Sequence, residues 1–314
     1  MNKSIIHHVS VINRDVSKTY EFYHDILGLS LLLKTVNQDD ISMYHLFFVN
    51  KDGQPGTNFT IFEMQDGMDR KFGTNGIERI VFAVPSVESL YFWEKYLNEL
   101  DLFNCEIEEY NDSKILRFED FDGVQLGFVP ARYDRKVYTG KGTEKIPDEH
   151  AIIGFDSVHL RVRYPEASAI LFKQFFDLSI SKTLDDEVMV LSSENTFLNQ
   201  EIHLMEDKKS PLEVMGIGGS HHLAITVQDR EELEEIDAKI NERNFKSSGI
   251  KDREFFQSTY YREPNNILIE VATLEGHVPK VDHEKYASFD EIPLQLPEFL
   301  EARRGFITDN LKRL

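Results

Sequence analysis

Apolar and polar residues alternate along "SIIHHVSVINRD", residues 4–15, and again along "GGSHHLAITVQD", residues 218–229. Alternation with a period of two predicts strands that bury one face. Each of these strands carries a histidine pair near its head and runs into a turn. Behind the first, "DVSKTYEFYHDILGL" spaces Val16, Phe22, Tyr23, Ile26 and Leu27 as a helix, with Asp15 or Ser17 as N-cap and Gly28 as its stop. "LSLLLKTVN", "YHLFFVN" and "NFTIFEM" follow as three strands. The same order, one strand, one helix and three strands, restarts at "IERIVFAV", at "FDSVHLRVR" and at "SHHLAITV". A repeat of this kind outweighs any single motif. The predicted fold class is α+β: four βαβββ modules in two curved-sheet domains, with helices outside and a concave cleft inside. The domains are expected at 1–135 and 151–275, joined by a charged linker at 136–150. An extension at 276–314 is expected to end in a helix.

Alternation also predicts which side chains face the cleft. The more apolar face of a strand packs on its helix, so the smaller, more polar face looks inward. Val9 and Val11 go with His7, and Leu223, Ile225 and Val227 with His221, leaving His8 and His222 as the cleft-facing members of their pairs. In "ILIEVA" the carboxylate of Glu270 interrupts an apolar strand, and burying it is costly unless it is paired or bound to a cation. Two imidazoles and one carboxylate with open positions form the facial triad of non-haem Fe(II) sites, and the same donors suit Zn, Ni and Mn. The corresponding positions of the second and third modules are read as Arg79 with Gly127 and Ser157 with Met205, which hold no metal. The first and fourth modules must therefore meet. Glu63 is read at the position in the first module that Glu270 takes in the fourth. It is a candidate fourth ligand, an acceptor for an imidazole N–H, or a strand-end charge reaching water.

Composition narrows the partners. The 314 residues, 41% hydrophobic, suffice for two domains of ordinary size. A net charge of −20 argues against nucleic acid or an anionic membrane surface, though not against a small anionic substrate in a locally positive pocket. Cys105 stands alone and forms no internal disulfide, which fits a reducing compartment. With no signal-type n-region and no apolar run near twenty residues, the expectation is a soluble, cytoplasmic protein. Whether it forms a homo-oligomer is left open.

The fourfold βαβββ repeat, opening with "HHVSVINRDVSKTYEFYHDILGL" and carrying "YYREPNNILIE" near its end, resembles the vicinal oxygen chelate (glyoxalase/bleomycin-resistance/dioxygenase) superfamily. "KTVNQDDISMYHLFF", "GQPGTNFTIF", "DREFFQSTYYREPNNILIEVAT" and "LEARR" are similar to ring-cleaving dioxygenases that act on hydroquinones. That resemblance implies non-haem Fe(II) held by His8, His222 and Glu270, and an enzyme that uses O2 to open a hydroquinone- or catechol-type ring. It also implies His7 and Ser10 around the substrate, with His221, Arg253 and Tyr260 in catalytic roles. Glu63 departs from the dioxygenase pattern and is similar to the four-ligand sites of glyoxalase I. The rival functions are a glyoxalase-type lyase or isomerase, and a non-catalytic binder of quinone-like aromatics. Tyr44 and His45 in "SMYHLFF" belong either to the family's fingerprint or to strand packing.

Overall fold

The computed structural model describes residues 5–102, 105–132, 140–193, 199–274, 285–286 and 288–311. The first module runs β1 (Ile6–Asn13), α1 (Val16–Tyr20), β2 (Ser30–Val36), β3 (Tyr44–Val49) and β4 (Asn58–Glu63). Asp15 caps α1 by accepting from the Lys18 N–H at 2.8 Å. The helix continues as a wider π turn over Glu21–Ile26 and ends before Gly28, whose φ of 74° favours glycine. The second module is β5 (Gly76–Val84), α2 (Val87–Asn98), β6 (Glu106–Tyr110), β7 (Ser113–Glu119) and β8 (Gln125–Pro130). The third is β9 (Gly154–Val162), α3 (Pro165–Phe176), β10 (Ser179–Leu184), β11 (Val188–Ser192) and β12 (Glu201–Glu206). The fourth is β13 (Ser220–Val227), α4 (Arg230–Glu242), β14 (Lys251–Asp252), β15 (Gln257–Arg262) and β16 (Leu268–Thr273).

These modules build two eight-stranded sheets, ordered β14-β15-β16-β13-β1-β4-β3-β2 and β10-β11-β12-β9-β5-β8-β7-β6. The sheets do not follow the expected contiguous halves, 1–135 and 151–275: each half supplies one module to each sheet. The reason lies in edge pairing. β1 pairs in parallel with β4 on one side, and its other edge takes β13 in antiparallel register; β5 does the same between β8 and β9. Pairing the two first strands of different modules satisfies both open edges at once. The meeting of modules one and four, required by their ligands, is thus made by backbone hydrogen bonds.

The apolar faces pack as expected, with Val9, Val11, Leu223, Ile225 and Val227 at most 1% exposed in one core shared by both sheets. Residues 136–139 of the linker and 276–284 of the extension lie outside the described residues. The described part of the extension, 285–286 and 288–311, includes α5 (Glu298–Glu301) and α6 (Arg304–Leu311), which pack against the β2 edge. Leu296, Leu300, Ile307 and Leu311 surround Val36, and the buried Lys34 ammonium donates to the Phe289 and Ile292 carbonyls. Among the described residues no helix is long and apolar enough to cross a membrane.

Candidate metal centre

His8 and His222 sit on the paired strands β1 and β13, and Glu270 sits on β16, beside Ala224 of β13. All three are at most 2% exposed. Glu270 Oε2 stands 2.9 Å from His8 Nε2 and 2.9 Å from His222 Nε2, and the two nitrogens are 3.0 Å apart. Neither Glu270 oxygen has an aligned hydrogen-bond donor among the described residues. Three donors at right angles on bonds of about 2.1 Å stand about 3.0 Å apart, against about 3.4 Å at tetrahedral angles. The observed triangle fits the right-angled, facial set. Burial opposes a charge on Glu270, yet the two imidazoles beside it hold its carboxyl well below the usual range. Among the described residues this is the only group of three or more His, Cys, Asp or Glu drawn so closely together. These residues fit a divalent cation.

Strict alternation misplaces His7 and His221. It sends both to the packing face, but each is the extra residue of a β-bulge: the β1–β13 register slips between Ile6 and His8, and opposite Ser10 and Val11 at His221. A bulge re-aims the side chain that it inserts. Both rings therefore turn to the cleft side, where His7 Nδ1 lies 2.8 Å from His8 Nδ1 and His221 Nδ1 lies 2.7 Å from His222 Nδ1. If the Nε2 atoms of His8 and His222 offer lone pairs to a cation, their protons sit on Nδ1 and are donated to His7 and His221. His7 then carries its proton on Nε2 and donates it to the Thr273 carbonyl at 3.2 Å. Burial above all pushes both His7 and His221 down to about 3, so both are neutral acceptors at pH 7. Such partners fix the tautomer and orientation of a ligand imidazole.

A cavity of about 310 Å³ opens in front of the triad, lined by His8, His221, His222, Arg253 and Tyr260 and walled by the aromatic rings of Phe47, Phe62, Phe255 and Phe256. Tyr260 lies directly opposite Glu270 across the β15–β16 pair, and its ring stands edge-on to His222 at 5.5 Å. Burial and the Glu270 charge push its phenol well above the ordinary value. Arg253 NH2 reaches Asp39 Oδ2 at 2.9 Å, and its guanidinium lies 5.5 Å from the Tyr260 ring. Arg253, singled out in the sequence only through the family resemblance, lines the cavity and is held there by Asp39, from the loop after β2. His7 and Ser10, expected around the substrate, do not line this cavity. His7 lines a separate cavity of about 140 Å³ behind Phe256. Ser10 is fully buried beside the triad, its Oγ bonded to Thr60 and 2.9 Å from His222 Nε2. No signal in the sequence marked Asp39 or Phe256.

The structure leaves Glu63 outside the close group of His8, His222 and Glu270. The β1–β4 ladder sets Ser10 against Thr60, while the β13–β16 ladder sets Ala224 against Glu270. Ser10 and Ala224 both lie two residues beyond their ligand histidines, so Thr60 holds the place of Glu270. Glu63 stands three residues further on, where it accepts the Val16 N–H at 3.0 Å at the start of α1. Glu63→Gln is accordingly expected to keep its full metal content by elemental analysis, since an amide oxygen accepts the same N–H. The second sheet needs a similar correction: β9 sets His159 against His203, so His203, not Met205, holds the Glu270 place. It is bonded to Glu201 and to Tyr110. With Arg79 and Ser157 in the other two places, that cleft has no comparable ligand set among the described residues.

The fold and the site have counterparts among known proteins. The model of the Glyoxalase/Bleomycin resistance protein/Dioxygenase superfamily matches residues 5–128. The chain is 34% identical over 313 residues to the Bacillus subtilis protein named "Putative ring-cleaving dioxygenase MhqA", covering 98% of each chain. It is 25% identical over 296 residues to the "Chlorohydroquinone/hydroquinone 1,2-dioxygenase" of Sphingobium indicum, covering 93% of this chain and 92% of that one. A crystal structure of a "putative dioxygenase" from Bacillus subtilis superposes with a TM-score of 0.85 at 27% identity, covering 100% of this chain and 98% of the other. The chain belongs to the glyoxalase/bleomycin resistance protein/dioxygenase superfamily.

Proposed function

We propose that this protein is a ring-cleaving dioxygenase that uses non-haem Fe(II) and O2 to open a hydroquinone-type ring. The observation that carries the reading is the right-angled triangle of His8, His222 and Glu270 beside an aromatic-walled cavity of about 310 Å³, which the two histidines line and which has room for a substituted aromatic ring. The names of the full-length relatives support it. When bound, the iron would supply an electrophilic anchor for a phenolic oxygen and a path for electrons from the ring to O2. The chain supplies the rest. His7 and His221 hold the ligand rings in one tautomer. Tyr260 keeps a proton beside the carboxylate and can donate it to a developing oxyanion, and Arg253 adds a positive charge on the same side. The phenylalanines exclude water from the reacting ring. Glyoxalase-type chemistry is the weaker reading, because its fourth protein donor, Glu63, is engaged at α1 instead.

The test is metal analysis after anaerobic purification, followed by oxygen uptake with hydroquinone, methylhydroquinone and catechol. About one iron per chain and oxygen consumption with a dihydroxybenzene are expected. A fully iron-loaded protein that consumes no oxygen with any of them would sink the proposal.

A further inference from the structure

One wall of the cavity carries polar groups that nothing in the described chain satisfies. Thr35 on β2 and His45 on β3 are direct cross-strand partners, so their side chains leave the sheet on the same face. Both line the cavity. Thr35 Oγ1 and His45 Nε2 are each buried without a hydrogen-bond partner among the described residues. Unpaired buried polar atoms are costly, and a native chain keeps few of them without a use. The imidazole of His45 is packed between the Phe47 and Phe62 rings, each 4.2 Å away between centroids. Burial above all pushes its pKa well below the ordinary value. Neutral, it offers one N–H and one lone pair, and the threonine hydroxyl likewise both donates and accepts. That pairing suits a hydroxyl group rather than an anion. Lys34 donates to backbone carbonyls, and the two cations that line the cavity, Lys251 and Arg253, both pair with Asp39.

The position of this wall selects which hydroxyl it meets. β3 lies two strands from β1 in the sheet, about 10 Å at the usual spacing, on the far side of β4 from the triad. A ring anchored through one oxygen at His8, His222 and Glu270 turns its opposite end toward that wall. We propose that Thr35 and His45 form a subsite for the hydroxyl group most distant from the metal, so that the cavity favours para-dihydroxybenzenes over catechols, whose two oxygens both stay at the metal end. This rests on the ring-cleavage reading for the identity of the anchored ring.

The experiment is calorimetric binding, without oxygen, of hydroquinone and of 4-methylphenol to the iron-loaded protein. The second compound has the same shape and lacks the distal hydroxyl. Wild type is expected to bind hydroquinone roughly tenfold or more tightly than 4-methylphenol, the size of one buried hydrogen bond. His45→Phe should erase the preference by weakening hydroquinone alone, and unchanged binding of 4-methylphenol shows that the cavity is intact. His45→Gln, which keeps a donor and an acceptor, should restore part of it, and Thr35→Val should lose part. The subsite is overturned if wild type shows no preference, or if His45→Phe leaves the ratio unchanged. A wild type that shows the preference and yet consumes no oxygen would refute the ring-cleavage reading while supporting the subsite.

Discussion

Glu270→Ala is expected to bring the metal content from about one ion per chain to background and to lower oxygen uptake by more than about a thousandfold, the scale of a lost metal catalyst. The carboxylate is the one anionic donor of the triangle, and among the described residues no other acidic group is close enough to replace it. The fold should survive. In the metal-free protein the change removes a buried charge together with its attraction to two imidazoles that can stay neutral, and these terms oppose one another. Circular dichroism should therefore be native, and the metal-free variant should melt within a few degrees of metal-free wild type. The separating measurement is the melting temperature with added Fe(II). Wild type gains stability through binding to the native state, and the variant should gain none. A variant that holds iron in one-to-one ratio would show that the ligand set is wrong.

Tyr260→Phe is expected to lower kcat about a hundredfold, the size of a positioned proton donor, with metal content unchanged and a smaller effect on KM. The phenol faces Glu270 across the strand pair, and burial keeps it protonated through the neutral range. The next residue is a built-in control. Tyr261 points to the other side of β15 into the core, where its hydroxyl is buried without a partner among the described residues. Tyr261→Phe should leave kcat unchanged and hold or raise the melting temperature, because it removes an unsatisfied polar atom. If Tyr260→Phe loses less than threefold in kcat, its ring serves packing against His222 and the proton must come from elsewhere.

Much of the site was legible from local pattern. The period of a strand is a property of neighbouring residues, so alternation put His8 and His222 on cleft faces, a carboxylate interrupting an apolar strand marked Glu270, and the repeated element order announced four equivalent modules. The Asp15 cap and the Gly28 stop were equally local. The readings that failed depended on how far one strand slides along another. Glu63 was matched to Glu270 by its place near a strand end, and three residues of register moved it to the start of α1. Met205 was displaced by His203 for the same reason.

By itself, then, the sequence determined the modules, the buried faces and the three converging donors, because short-range periodicity encodes which side of an element is apolar. Only the tertiary structure decided that modules one and four meet by antiparallel pairing of β1 with β13, that bulges at His7 and His221 turn both rings toward their neighbours, and that Thr35 and His45 share an unsatisfied wall. Each of these is a matter of long-range backbone registry. A one-residue slip reverses every face downstream of it, and the hydrogen bonds that choose one register join residues such as Ser10 and His222, which are far apart in the chain and adjacent only once it is folded.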